Sequence, residues 1–149
     1  AALLHDAAKQ LPLEEMRELA EKSFPHLAAP ILANGGLLHG YAAVTIAKER
    51  YQISDTDLLA AVAHHTTGAE QMSTLEKIIF LADYIEVNRD FDGVEDLRKA
   101  AKKNLDEAVL LGYDSTIRHL LDQGKPIFVG TVVNRNAQID VLCAADRKA

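Results

Sequence analysis

The chain has 149 residues, 48% of them hydrophobic and 26% charged, which supplies a sizeable core for one globular domain and argues against disorder or a fibrous repeat. Sixteen Lys and Arg against twenty-two Asp and Glu give a net charge of −6, which disfavours a broad nucleic-acid or anionic-membrane surface and confines any phosphate binding to a focal pocket. The strongly apolar runs over residues 58–63 and 78–82 are far shorter than the ~20 residues of a spanning helix.

In chain order, residues 1–9 read as the C-terminal half of a buried helix. Pro12 suits the first turn of the next helix, along which Leu13, Met16 and Leu19 recur at helical spacing to about Lys22. Pro25 and Pro30 break the chain after that helix, and Gly35-Gly36 reads as a flexible connector, lacking the strand and the Lys-Ser/Thr of a phosphate-cradling loop. Apolar residues at 37, 38, 41, 44 and 47 predict a helix over 37–51. Ser54 with Asp57 forms a capping box for a helix that stops at Thr66-Thr67-Gly68, and Ser73 with Glu76 repeats the signature. The helix opened by Ser73 is expected to bury Leu75, Ile78, Ile79, Ala82 and Ile85. A loop with Asn88, Asp90, Asp92 and Gly93 ends it. Helices over about 94–103 and 105–123 come next, with Gly124 as terminator, an extended stretch from Pro126 to Thr131, and a short final helix after Asn134. The expected architecture is one all-α domain over residues 1–149.

A few of the six histidines and some core-adjacent aspartates are the candidates for chemistry. His5-Asp6 is an imidazole and a carboxylate side by side in an apolar setting, where polar groups need a strong partner. Neighbours on a helix diverge by about 100°, so both could reach one metal from the same wall. His39 lies near a helix start, and His64-His65 at a helix end. Asp83 follows the apolar run at 78–82, with Ile79 and Val87 at i−4 and i+4, so no local cation explains it. A set of His5, Asp6, His39, His65 and Asp83, without cysteine, suits iron, manganese or another borderline-hard divalent ion better than structural zinc. Two such ions bridged by a carboxylate serve phosphoryl transfer. His26 and His119 read as surface residues, and the Asp55/Asp57 and Asp90/Asp92 pairs as caps and turns rather than calcium ligands. Cys143 is alone and closes no internal disulfide, and no basic-then-apolar leader opens the chain, so the expected address is the cytoplasm.

The string His5-Asp6-Ala7-Ala8-Lys9, then Leu38-His39-Gly40, His65-Thr66-Thr67-Gly68, Met72-Ser73-Thr74-Leu75-Glu76-Lys77-Ile78 and Leu81-Ala82-Asp83-Tyr84-Ile85-Glu86, resembles the HD-domain family of bacterial symmetrical bis(5′-nucleosyl)-tetraphosphatases, the YqeK type. The resemblance continues in order through Asn88 to Val94 and Gly124-Lys125-Pro126-Ile127. It implies an HD-domain helical bundle with two divalent ions, iron foremost, that splits diadenosine tetraphosphate into two ADP. It makes His5, Asp6, His39, His65 and Asp83 the metal ligands, with Asp6 the bridge, and gives catalytic roles to Asp6, Lys9 and Asp83. Nucleotide would be held by Asp6, Ala7, Ala8, Lys9, His65, Thr66, Asp83 and Arg89, with Pro126, Ile127, Phe128, Val129, Gly130 and Thr131 closing over it. The implied partners are a dinucleoside polyphosphate and ADP, with no nucleic acid and no membrane, and a homodimer is compatible with the reading.

The chain departs from the family pattern at His64, where Tyr is usual, at Ala7, and at Gly40-Tyr41. His65 is therefore the expected ligand and His64 its alternative. The family's first histidine, on a helix upstream of His5-Asp6, has no counterpart after Ala1. A module that binds ADP with an incomplete metal site and little turnover is the alternative function. A helical interaction domain with coincidental His and Asp is a third.

Overall fold

A computed structural model describes residues 1–149 and contains eight α-helices and no strand. The helices are α1 (Leu13–Ser23), α2 (Ala29–Leu32), α3 (Gly35–Tyr51), α4 (Thr56–His64), α5 (Thr74–Ile85), α6 (Val94–Lys103), α7 (Leu105–Asp122) and α8 (Val129–Asp146). They group into two compact units, residues 1–67 and 68–149.

In the first unit α3 is the central rod. Its residues 38–45 and 47 are all buried, among them Leu38, Ala42, Ala43, Val44 and Ala47, as expected of a helix apolar on every side. It packs against α1, α2 and α4. Thr45 Oγ1 donates to the Leu19 carbonyl at 2.6 Å, and Arg17 Nε reaches the Leu32 carbonyl at 2.7 Å, tying α1 to its neighbours. Gly35-Gly36 is not a connector: Asn34 Oδ1 accepts from Gly36 N at 2.9 Å, and this cap starts α3 two residues earlier than the apolar pattern does. The cap of α4 is Asp55, accepting from Leu58 N at 2.8 Å, rather than Ser54. The helix also stops sooner, at His64.

Residues 2–10 form successive turns instead of a helix. Amide bonds of the i→i−3 type run from Leu4 to Ala1, Ala7 to Leu4 and Lys9 to Asp6. His5 Nδ1 donates to the Ala2 carbonyl at 2.6 Å. That side chain takes the acceptor an α-helix would give to the amide of residue 6, which is how a local side-chain bond displaces the ladder.

In the second unit Phe80, Leu81, Leu97, Ala108, Val109 and Tyr113 form the core. The capping box at Ser73 and Glu76 is present in both directions. The buried face of α5 is rotated from the expected one: Ile79, Phe80 and Leu81 are inside, Ile78 is 48% exposed and Ala82 is exposed. Residues 78–82 are apolar throughout, so periodicity cannot choose the face; packing against α7 does. Gly124, at φ +61°, follows α7 as its terminator. Within the stretch expected to be extended, only residues 126–128 are non-helical, because α8 begins at Val129. This last helix is 18 residues long rather than short. Its buried residues are Thr131 and Gln138, and it is tied to α7 by Arg135 Nε to Asp114 Oδ1 at 2.7 Å and Gln138 Nε2 to the Asp106 carbonyl at 3.0 Å. Polar ties leave little apolar stripe to read.

Candidate metal centre

The first unit gathers His5, Asp6, His39 and His65 from the opening turns, α3 and the end of α4. Asp6 Oδ1 lies 3.2 Å from His39 Nε2 and 3.5 Å from His65 Nε2, and Asp6 Oδ2 lies 3.5 Å from His5 Nε2. The two imidazoles of His39 and His65 meet at 2.9 Å between their Nε2 atoms. Both rings are buried.

Each ring is set by a backbone carbonyl on its other nitrogen. His5 Nδ1 faces Ala2 O, His39 Nδ1 faces Gly35 O at 3.0 Å, and His65 Nδ1 faces Val62 O at 2.7 Å. A carbonyl can only accept, so each Nδ1 carries the proton and each Nε2 turns a lone pair towards Asp6. Two lone pairs at 2.9 Å with a carboxylate against them repel one another, an arrangement that a cation bound among them would relieve. Asp6 Oδ1 is itself buried with no hydrogen-bond donor, which a buried acceptor does not tolerate without compensation. The donor set fits a divalent metal: neutral imidazole nitrogens, a carboxylate, and carbonyls fixing the tautomers behind them.

Burial pushes the Asp6 carboxyl up, but the hydrogen bond and charge of Lys9 oppose it, and the group is held below the usual carboxylate range. Asp6 is thus kept ionised, as a ligand must be. Lys9 Nζ stands 3.1 Å from Asp6 Oδ2 with its side chain half exposed.

His64 is half-buried at the end of α4, with its ring 6.1 Å from that of Tyr41. Thr66 is half-buried in the turn after α4. Ala7 is exposed, whereas Ala8 is wholly buried and its methyl belongs to the core. His26 and His119 are exposed. In the second unit Asp83 sits half-buried on the last turn of α5, and Arg89 Nε donates to its carbonyl at 2.8 Å. Pro126 and Val129 are exposed, Ile127, Phe128 and Gly130 half-buried and Thr131 buried.

Two contributors escape a reading of motifs alone. Gly40 allows α3 to approach α4, since a Cβ there would lie 2.8 Å from Ala63 O, 2.9 Å from Val62 O and 3.1 Å from His65 Nδ1. Tyr41 Oη bonds Thr67 Oγ1 at 3.1 Å, fixing the turn beyond His65. The signal for Gly40 is a glycine inside a helix pattern, which costs about 1 kcal/mol unless it is needed for close packing.

The HD-domain family model matches residues 1–88. The chain is 43% identical over 137 residues to a symmetrical bis(5′-nucleosyl)-tetraphosphatase of Halalkalibacterium halodurans, covering 91% of this chain and 72% of that one. It is 36% identical over 138 residues to the protein of the same name from Bacillus subtilis, covering 91% and 73%. A crystal structure described as a predicted HD superfamily hydrolase involved in NAD metabolism, from Clostridium acetobutylicum, superposes with a TM-score of 0.86 at 43% identity, over 93% of this chain and 73% of that one. The class defined by fold and cluster is the HD domain, a metal-dependent phosphohydrolase fold. Within it, the chain belongs to the family of the symmetrical bis(5′-nucleosyl)-tetraphosphatases.

Proposed function

We propose that this chain hydrolyses dinucleoside polyphosphates symmetrically, converting diadenosine tetraphosphate and one water into two ADP. The observation that carries the reading is the convergence of three imidazole Nε2 atoms on the Asp6 carboxylate, joined to the family's activity in the two bacterial relatives. His5, Asp6, His39 and His65 would hold the metal, with Asp83 as the fifth ligand on the strength of the Leu81-Ala82-Asp83-Tyr84 motif. Asp6, with Oδ1 towards His39 and His65 and Oδ2 towards His5, would be the residue shared in a two-ion site. Iron or manganese matches this N/O set. When bound, the ions supply positive charge that polarises a phosphoryl oxygen and acidifies water.

The chain's own groups do the rest. The carbonyls of Ala2, Gly35 and Val62 keep the imidazoles in one tautomer and orientation. Lys9 carries a half-exposed ammonium at the rim of the cluster, placed to neutralise phosphate as ADP departs. Thr66 offers a hydroxyl beside His65. Arg89 presents a half-exposed guanidinium whose planar fork suits the phosphates that are not transferred, and residues 126–131 line the nucleoside. The acidic composition and single cysteine suit a cytoplasmic enzyme.

Chromatography of the products tests the reading. Diadenosine tetraphosphate should give ADP alone. ATP together with AMP would overturn symmetric cleavage, and tight ADP binding without any product would leave a nucleotide-binding module.

A further inference from the structure

The last turn of α5 and the segment after it are held by one side chain of α6. Arg98 Nε donates to the Ile85 carbonyl at 3.1 Å, and Arg98 Nη2 donates to the carbonyls of Glu86 at 2.8 Å and Arg89 at 2.9 Å. Its remaining nitrogen, Nη1, is taken by Glu95 Oε1 at 2.5 Å. The Arg98 side chain is only 22% exposed, so the guanidinium is a built part of the fold rather than a solvated surface charge.

Residues 86–93 form neither helix nor strand; 86–88 and 92–93 are bends and turns. The C-terminal carbonyls of a helix lack internal partners, and a cation there is favoured by the helix dipole. Arg98 supplies the donor for the Ile85 carbonyl, adds a second donor to the Glu86 carbonyl that already accepts from Arg89 N at 3.0 Å and, with the same nitrogen that serves Glu86, grips the backbone of Arg89. Arg89 in turn spends its Nε on the Asp83 carbonyl, so its backbone and the root of its guanidinium are both fixed, while its side chain stays half-exposed with Nε 4.0 Å from the Glu86 carboxylate. A cation held in this way loses little freedom on meeting a phosphate, which is the source of affinity in preorganised sites.

We propose that Arg98 is a positioning residue for nucleotide binding: it holds the 85–89 turn so that the Arg89 guanidinium is presented to the phosphates of the substrate and of ADP. This rests on the reading of Arg89 as a phosphate contact. Lysine cannot replace Arg98, because an ammonium is a point donor and lacks the planar fork that reaches three carbonyls at once.

The test compares ADP affinity by calorimetry for the manganese-loaded chain, Arg89→Ala, Arg98→Lys and the double variant, alongside melting temperatures and steady-state kinetics. Arg98→Lys keeps the cation at the helix end and should fold, unlike the harsher Arg98→Ala. Arg89→Ala should weaken ADP about tenfold, the scale of one charge-assisted contact. Arg98→Lys should weaken it several-fold and raise KM more than it lowers kcat. In the double variant the Arg98 substitution should add no further loss of affinity. Unchanged ADP affinity in Arg98→Lys, with Arg89→Ala impaired, would overturn the positioning role alone. An equal extra loss in the Arg89→Ala background would do the same, since the effect would then act through the fold and not through Arg89. Unchanged affinity in Arg89→Ala would remove the phosphate contact and the proposal with it.

Discussion

Beside the ligand cluster the spacing of two helices depends on a missing methyl. Gly40 follows His39 directly, and a Cβ at this position would press on two carbonyls of α4 and on the His65 ring. Backbone atoms cannot step aside as a flexible side chain does. Gly40→Ala should therefore destabilise the chain by about 1–3 kcal/mol, the usual cost of overpacking, despite alanine's better helix propensity. Denaturant unfolding reads the stability, and elemental analysis should show reduced metal because His65 is displaced. The neighbouring histidines make a second residue-scale test. His65 faces Asp6 with its Nε2, whereas His64 lies against Tyr41. His65→Ala should purify with much less metal and His64→Ala with a content close to that of the unchanged chain; the reverse ranking would move the ligand to His64.

Among the elements, α5, α7 and α8 are joined by one carboxylate. Asp106, in the first turn of α7, accepts from Lys77 of α5 at 2.5 Å and from Gln138 of α8 at 3.2 Å. Burial pushes its carboxyl up, but the bonds from Lys77 and Gln138 and the Lys77 charge win, so its pKa falls below the ordinary 3.8. A carboxyl depressed on folding contributes stability above its unfolded pKa and loses it as pH drops through the folded value. Asp106→Asn should thus lower the urea midpoint at neutral pH, and the gap between the two proteins should narrow on acidification below about pH 4. A gap constant down to about pH 2 would show that the pair contributes no charge-dependent stability. The Ser73 cap belongs to the same scale. Ser73→Ala removes the acceptor for Glu76 N and should cost about 1 kcal/mol in thermal or chemical unfolding.

For the molecule as a whole, metal held by the proposed His5, Asp6, His39 and His65 cluster would couple to stability. An ion bound by the folded chain alone adds about 2.7 kcal/mol at roughly one hundred times its Kd, or roughly 5–10 °C in melting temperature for a chain of this size. Manganese or ferrous iron should raise the melting temperature by that order, a chelator should reverse the rise, and His39→Ala should abolish most of it. An equal rise in His39→Ala would place the ion elsewhere. The net charge of −6 suits the proposed function, in which the positive charge that attracts phosphate would be concentrated in bound ions and a few cations such as Lys9 rather than spread over the surface.

The helices whose signals are local were legible without coordinates. The Ser73/Glu76 box, Pro12 before α1, Gly124 after α7 and the apolar repeat of α3 all act through residues three or four positions away, so the pattern itself carries the information. The motifs also named His5, Asp6, His39 and His65 and separated them from His26 and His119. Everything the pattern left open was decided over longer distances. The face of α5 is set by packing against α7, the length of α8 by polar ties to Asp106 and Asp114, and the turns at residues 2–10 by a histidine that takes a backbone carbonyl. The three rings face one carboxylate only because three carbonyls, distant from one another in sequence, fix them. Arg98 carries no motif of its own, because its role is to satisfy carbonyls 9 to 13 residues away, and a carbonyl's need for a donor is invisible until the helix end that exposes it has been built.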